Sequence, residues 1–258
     1  MRDPHVVALH YRLVTDPESF EFKNPPAVQY DGSAFRFRLE DGRLRAEMKD
    51  HHATADSARE VVEPFLNAWE IDAAIRRGRR EMHFEYDAPE IIDRDPTPGI
   101  IELAAGATVR TSGHAMLKVI ASAYPQPPSG FVASEDVRTL MLHFEAFVAG
   151  QERLVDAAYF CLTLVERHAG GRAEAAREFG IDVEVLRKVG FLTSDQVGDE
   201  RTARKLSRKS TLRPHTGAEV TWLQTVLRRM IHRVGEHDFD PTAPLPTIAM
   251  AGLPPLSP

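Results

Sequence analysis

Alternating apolar and polar positions predict an antiparallel hairpin early in the chain. Residues 34–40 (AFRFRLE) and 43–48 (RLRAEM) alternate in this way around Asp41-Gly42, a dipeptide that favours a two-residue turn. Six apolar side chains share the predicted buried face: Phe35, Phe37, Leu39, Leu44, Ala46 and Met48. Three further segments are predicted strands, at 6–14, 81–87 and 100–110. This half of the chain is therefore expected to be an antiparallel sheet domain.

A helical pattern lies between these strands. Over residues 57–77 apolar positions recur every three or four residues, which predicts a helix that covers one face of the sheet. Its apolar face carries Val61, Val62, Phe65, Leu66, Trp69 and Ala73. Pro64 lacks a backbone donor and clashes with the preceding turn, so we expect a kink there, or a short helix followed by a longer one starting at Pro64.

The second half of the chain has helical periodicity throughout. Ser134 can cap a first helix. The segment 154–165 is apolar almost all round, which predicts a buried helix. Thr216 and Glu219 form a capping box for a last helix, which is expected to end at Gly235. The predicted class is α+β, an antiparallel sheet domain with a covering helix followed by an all-helical domain. The predicted parts are a sheet domain at 1–123, a proline-rich joint at 124–130, a helical domain at 131–238 and a proline-rich tail at 239–258.

The tail contains six prolines between 241 and 258, which excludes a regular helix or a central strand there. Three interpretations fit this composition: a disordered tail, a peptide ligand for another protein, or an arm packed on a neighbouring subunit.

Residues 172–190 (RAEAAREFGIDVEVLRKVG) resemble a helix-turn-helix. Ala175, Ala176 and Phe179 share one face of a first helix, and Gly180 permits the turn that follows it. Asp182 can cap a second helix. The inward-facing residues of this second helix would be Val183, Leu186 and Val189. In such a motif the second helix, here about two turns long before Gly190, can enter a major groove. A helical hairpin that only packs in a core uses the same glycine and spacing, so both interpretations remain open.

Basic residues follow this segment closely. Glu184, Arg187 and Lys188 would face outward from the second helix, and a cationic stripe is predicted further on, at Arg201, Arg204, Lys205, Arg208 and Lys209. If these residues are helical, Arg201, Lys205 and Lys209 lie at i, i+4 and i+8 and can follow a phosphate backbone. The hypothesis is that Arg187 and Lys188 approach a groove of DNA or RNA while the stripe holds phosphates.

Charge is separated along the chain. Between 201 and 233 there are nine Lys or Arg and one acid, Glu219, a net charge of +8, whereas the whole chain carries -6. An anionic partner is therefore expected for this region: a nucleic acid, an acidic protein surface or the acidic N-terminal half of the same chain. A solvated surface helix without a partner is the alternative.

Other chemical clusters have simpler explanations. His83, Glu85 and Asp87 alternate along a predicted strand and suit a divalent metal ion, but they also suit a charge network with the hairpin arginines, because Arg38 would lie opposite Arg45. The network, with Glu40, Glu47, Glu85 and Asp87 as its acids, is the favoured interpretation. Two histidine pairs, His51-His52 and His232 with His237, lack a recognised ligand spacing, so no metal site and no cofactor are predicted.

A ribonuclease of the HEPN class is a third possibility. The helical half resembles that family in being a small bundle with an Arg and a His separated by four residues, Arg138 and His143, which would supply a cation and a base for attack by a ribose 2′-hydroxyl. Thr139 departs from the polar residue that the family favours at that position, and residues five apart diverge by about 140° around a straight helix.

Missing enzyme motifs, the cysteine count and the length of the apolar runs limit the classes of function that fit this sequence. Motifs of P-loop, Rossmann, serine-hydrolase and zincin enzymes are lacking, so no catalytic residue is predicted. A single cysteine, Cys161, and no apolar run of membrane-spanning length favour a cytoplasmic protein without a membrane partner. The leading hypothesis is a non-enzymatic nucleic-acid-binding or regulatory protein. The alternative is a structural protein that assembles with itself or a protein partner through the helical domain and tail.

Overall fold

The computed structural model describes residues 3–16, 18–95, 119–194 and 213–256. The chain forms two compact units: one contains Met1–Glu70 and Glu81–Pro128, and the other contains Ile71–Arg80 and Ser129–Pro258. The sheet lies in the first unit and most helices lie in the second, which confirms the α+β class. The strand predicted at 100–110 lies outside the described residues.

The first unit is built on a five-stranded sheet in which every neighbouring pair is antiparallel. The described strands of this unit, in chain order, are β1 (Pro4–Thr15), β2 (Phe20–Phe22), β3 (Val28–Asp31), β4 (Phe35–Glu40), β5 (Arg43–Met48), β6 (Met82–Asp93) and β7 (Val119–Ala121). The order across the sheet is β3-β4-β5-β1-β6, and β2 pairs separately with β7 in parallel.

The β4–β5 hairpin has the predicted turn. Asp41 and Gly42 both have positive φ, 49° and 70°, the backbone that a two-residue turn of this hand requires. Leu39 pairs with Leu44, and all six apolar side chains predicted for the buried face are buried. Tyr124 supports the turn, because its hydroxyl oxygen accepts a 2.8 Å hydrogen bond from the Gly42 amide.

Helix α1 (Ala55–Arg77) covers the sheet through its first part. The ring of Trp69 stacks on Phe37 at 5.2 Å between centroids, and Phe65 lies 4.5 Å from Tyr30. The helix is unbroken at Pro64, so the alternative of two separate helices is wrong. Apolar side chains bury on both sides of the proline, and this packing outweighs one lost backbone hydrogen bond.

Among its described residues, the second unit contains the end of α1 and five further α-helices. They are α2 (Glu135–Val148), α3 (Leu154–Ala169), α4 (Arg172–Glu178), α5 (Val183–Thr193) and α6 (Gly217–Phe239). As predicted, α3 is central: it packs against α2, α4, α5 and α6, and Cys161 and Val165 on it are fully buried. Ser134 caps α2 as expected, accepting a 3.2 Å hydrogen bond from the Val137 amide.

Helix α6 begins at the predicted capping box but does not end at Gly235. Thr216 and Glu219 cap each other's backbone amides, and the helix continues to Phe239. The ring of Phe131 lies so close to the Gly235 backbone that a Cβ atom there would overlap it. This glycine therefore makes room for an aromatic ring and does not end the helix.

The described part of the tail packs on the helices of its own unit. The Ile248 amide donates to the Gly180 carbonyl, and the Asp182 amide donates to the Ile248 carbonyl, each at 2.9 Å. Ile248 and Leu253 are buried. Ile248 thus anchors the tail to the turn that joins α4 to α5. Among the described helices, none has the length and apolar character needed to cross a membrane.

Candidate functional site

The α4–α5 pair has the backbone of a short helical hairpin. Gly180 has a positive φ of 56°, and the Asp182 carboxylate accepts a 3.0 Å hydrogen bond from the Glu184 amide as the expected cap. The buried residues of α5 are Val185, Leu186, Val189, Leu192 and Thr193. Leu186 and Val189 are buried as expected, whereas Val183, the first residue of α5, is only half-buried.

Helix α5 is longer than its sequence suggests. It runs for 11 residues to Thr193 and includes Gly190, where it was expected to stop. A guanidinium nitrogen of Arg172 would lie 3.1 Å from a Cβ atom at Gly190, so this position too accommodates a neighbouring side chain. Three turns give α5 a longer exposed face than the two turns expected.

Of the two predicted groove-facing residues, Arg187 is exposed and Lys188 is half-buried. Arg187 and Glu184 are exposed and form an ion pair one turn apart, and the Lys188 ammonium lies 4.9 Å from the centre of the Phe191 ring. Five predicted phosphate contacts lie outside the described residues: Arg201, Arg204, Lys205, Arg208 and Lys209.

Two cations of α6 have structural partners. Arg233, 5 % exposed, donates to the carbonyls of Phe179 (2.7 Å) and Pro246 (2.6 Å), so it fixes both the α4–α5 turn and the tail. His232 lies 3.0 Å from the buried Asp72 carboxylate. These two side chains border a groove of about 590 Å³ whose other cations are Arg76, Arg228 and Arg229.

Hydrogen bonding to acids makes His232 a stronger base. Burial alone would lower its pKa, but its hydrogen bonds to Asp72 and Glu236 outweigh that effect and raise the pKa to about 9. His232 is therefore protonated at neutral pH.

Part of the favoured charge network forms between the hairpin arginines and nearby acids. Arg38 lies opposite Arg45 as predicted, Arg38 pairs with Glu40, and Arg45 pairs with Glu47 and also with Glu90, which had not been expected to take part. On the neighbouring strand, Glu85 accepts a 3.1 Å hydrogen bond from Arg12 and lies 3.4 Å from His83. Glu40 and Glu47 are thus paired with hairpin arginines as expected, whereas Glu85 is paired with Arg12 of β1, and no described ion pair includes Asp87.

The Arg and His of the ribonuclease comparison have separate partners. Arg138 donates to the Ala133 carbonyl at 2.6 Å, whereas His143 Nδ1 lies 2.8 Å from a carboxylate oxygen of Glu152. No described contact joins Arg138 to His143.

A different set of ligand-type side chains does converge. One ligand atom from each of His168, Glu178 and His237 lies within 4.8 Å of the other two, and within the described ranges this is the one group of three or more such residues. Nε2 of His168 is 3.7 Å from Glu178 Oε1, and Nε2 of His237 is 3.6 Å from the same oxygen. His237 is buried, while the other two are exposed.

The spacing of these three residues along the sequence does not predict that they lie close together. The histidine nearest to His237 in the sequence is His232, five positions earlier. The actual companions of His237 lie on two other helices, His168 in the last turn of α3 and Glu178 at the end of α4.

No protein-family model, curated protein or solved structure matches this chain. Its function is therefore argued from the geometry of these sites.

Proposed function

We propose that this chain is a nucleic-acid-binding protein that uses the exposed face of α5 as its contact surface. One observation carries the proposal: the buried face and cap of α5 hold the helix in place while Arg187 is exposed and Lys188 beside it is partly exposed. A helix held in this way can present cationic side chains to a groove or a phosphate backbone without the entropic cost of ordering the helix backbone on binding.

The ion pair on α5 does not oppose such binding. Arg187 pairs with Glu184 on an exposed helix face, where an ion pair contributes less than about 1 kcal/mol. A phosphate group, like a carboxylate, forms charge-assisted and often bidentate hydrogen bonds with a guanidinium. Exchange of Glu184 for a phosphate as the partner of Arg187 therefore costs little.

The charge of the following segment supports the same interpretation. Residues 201, 204, 205, 208 and 209 are all Lys or Arg, and the first of them comes eight positions after Thr193, the last residue of α5. In a complex, these residues would add phosphate contacts that do not depend on sequence.

The test is fluorescence anisotropy of the full chain with labelled duplex DNA and with single-stranded RNA, over a series of salt concentrations. Affinity should fall steeply with salt, and reversing Arg187 and Lys188 to Glu should weaken binding and lower the slope of log K against log salt by about 2 for duplex DNA. Reversing Arg204, Lys205, Arg208 and Lys209 to Glu should remove binding.

A matched control separates a specific surface from net charge. Arg43 and Arg167 are exposed, and reversing both to Glu changes the charge by the same amount as the α5 variant. Binding should persist in this control. No binding by the native chain at low salt, or equal losses in the control and the α5 variant, would overturn the proposal. If a variant changes the mass measured by light scattering instead, assembly through the helical half becomes the better explanation.

A further inference from the structure

Three side chains of types that can bind a metal ion meet near the C-terminal ends of three helices in the second unit. His168 lies in the last turn of α3, Glu178 is the last residue of α4, and His237 lies in the last turn of α6. The carbonyl groups at helix C-termini carry partial negative charge, which favours a cation at such a position. We propose that His168, Glu178 and His237 bind a divalent transition-metal ion, with Zn²⁺ as the ion that best suits two imidazoles and a carboxylate.

The spacing of the three groups fits a shared ion better than direct hydrogen bonds. The two distances from imidazole nitrogen to Glu178 Oε1, 3.7 Å and 3.6 Å, exceed the range of an N–H···O bond. In a tetrahedral zinc site with bonds of about 2.0–2.1 Å, neighbouring ligand atoms are about 3.3 Å apart. The two imidazole–carboxylate distances are close to this value, and rotation about side-chain torsions would bring the three ligand atoms, which lie within 4.8 Å of one another, onto a shared ion.

The far side of each imidazole faces a carboxylate. His168 Nδ1 lies 3.8 Å from Asp136 Oδ2, and His237 Nδ1 lies 3.5 Å from Asp238 Oδ1. Metal-bound histidines commonly direct their second ring nitrogen toward a carboxylate, which fixes the tautomer and strengthens the ligand. Both rings thus place Nε2 toward Glu178 and Nδ1 toward an acid, the polarity that a metal ion at Nε2 requires.

Nδ1 of His237 provides a separate indication. His237 is 7 % exposed, and this nitrogen is buried without a hydrogen-bond partner. A buried polar atom normally has a partner, so its position requires an explanation. Coordination at Nε2 would fix the proton on Nδ1 and draw it toward Asp238, which satisfies the orphaned group.

The surroundings suggest an open site. The ring of Phe179 packs 4.6 Å from His237 and 5.7 Å from His168, which limits ring rotation on one side. His168 and Glu178 are exposed. The protein supplies three ligands, so water from the exposed side would occupy the fourth position, as in zinc sites that keep a position open.

This site is independent of nucleic-acid binding, because Arg187 and Lys188 take no part in it. The competing explanation is a protonated triad, in which one or both histidines carry a proton and pair with Glu178 without any metal ion. The two explanations differ in their response to Co²⁺, which adopts the zinc geometry and has a visible absorption spectrum.

The experiment is a Co²⁺ titration of the full chain after treatment with a chelator and dialysis, followed by displacement with Zn²⁺. One equivalent should give absorption bands typical of four-coordinate Co²⁺, and Zn²⁺ should remove them. His168→Gln and Glu178→Gln should each weaken Zn²⁺ binding by about 100-fold or more, and Asp136→Asn by about 10-fold. His143→Gln is the matched control, since it removes another histidine that lies beside a carboxylate.

Circular dichroism of each variant checks the fold. His168 and Glu178 are exposed, so their substitution keeps the test informative even if His237→Gln unfolds the chain. Metal binding that is as tight in His168→Gln as in the native chain would overturn the proposal. The same conclusion follows if the native chain binds Zn²⁺ no more tightly than the chain with both His168→Gln and Glu178→Gln.

Discussion

The interaction between His232 and Asp72 predicts that the second unit loses stability as the pH rises above neutrality. Asp72 is 1 % exposed and lies 3.0 Å from the imidazole, and Glu236 lies 3.4 Å from the other ring nitrogen. These carboxylates stabilise the imidazolium, and the pKa of His232 is raised to about 9. In the unfolded chain a histidine has a pKa of about 6.5.

The direction of the effect follows from proton binding. Between about pH 6.5 and 9 the folded chain holds a proton on His232 that the unfolded chain has released, so a rise in pH favours unfolding. The stabilisation is fully present below about pH 6.5 and is lost as the pH passes through 9. Because one pKa unit corresponds to about 1.4 kcal/mol, the total loss is on the order of 3 kcal/mol.

The assay is urea unfolding between pH 6 and pH 10, read from tryptophan fluorescence. Trp69 lies in the first unit and Trp222 in the second, so Trp69→Phe leaves Trp222 as the reporter for the unit that contains His232. In this background His232→Gln keeps a donor for Asp72 but does not titrate. The free-energy difference between the two proteins should be largest near pH 6 and shrink by about 3 kcal/mol toward pH 10.

Two results would refute this reasoning. One is a free-energy difference that stays constant from pH 6 to pH 10. The other is an NMR titration in which the His232 ring changes its chemical shift near pH 6.5, as an unperturbed histidine does. Either result would mean that Asp72 and Glu236 do not hold the proton on the folded chain.

Three further substitutions test the packing. Gly235→Ala should destabilise the chain by about 1–3 kcal/mol in urea unfolding, because overlap with Phe131 outweighs the helix propensity gained. Equal or greater stability would show that the ring moves aside at no cost. Arg233→Met should cost about 3 kcal/mol or more and expose the tail to limited proteolysis, because buried carbonyls lose their donor. Native resistance to protease would contradict this. Tyr124→Phe should cost about 1 kcal/mol and speed amide exchange at Gly42, and unchanged exchange would argue against the hydrogen bond.

The hairpin could be predicted from sequence because all of its determinants are local. Alternation with a period of two identifies the buried face, and the turn dipeptide sets the register within a few residues. The same holds for the caps at Ser134 and Thr216, where a side chain bonds an amide three positions away. The hairpin and these two caps can therefore be predicted without knowing the rest of the fold.

The amino-acid composition of the tail does not predict where the tail packs. Its prolines exclude helix and central strand, but they do not reveal that Ile248 pairs with Ile181 beside the α4–α5 turn. That pairing depends on carbonyls near Gly180 and on the Arg233 guanidinium, which also binds the Pro246 carbonyl. The partners come from three segments of the chain, so no local pattern specifies them.

Glycine positions explain most of the errors in helix boundaries. A local rule treats a glycine after a helical stretch as a stop, because glycine adopts positive φ readily. Gly180 follows this rule, with φ of 56° in the turn. Gly190 and Gly235 lie inside helices, where the missing side chain admits Arg172 and Phe131.

The candidate metal ligands were missed for a related reason. Each occupies an ordinary position near the end of its own helix, and nothing in the local sequence distinguishes it from a surface residue. Only the packing of α4 and α6 against α3 brings His168, Glu178 and His237 together. A site assembled by helix packing is visible to sequence reasoning only when two ligands share a helix at spacings of three or four. Because these three ligands lie on three helices, tertiary structure was needed to find them.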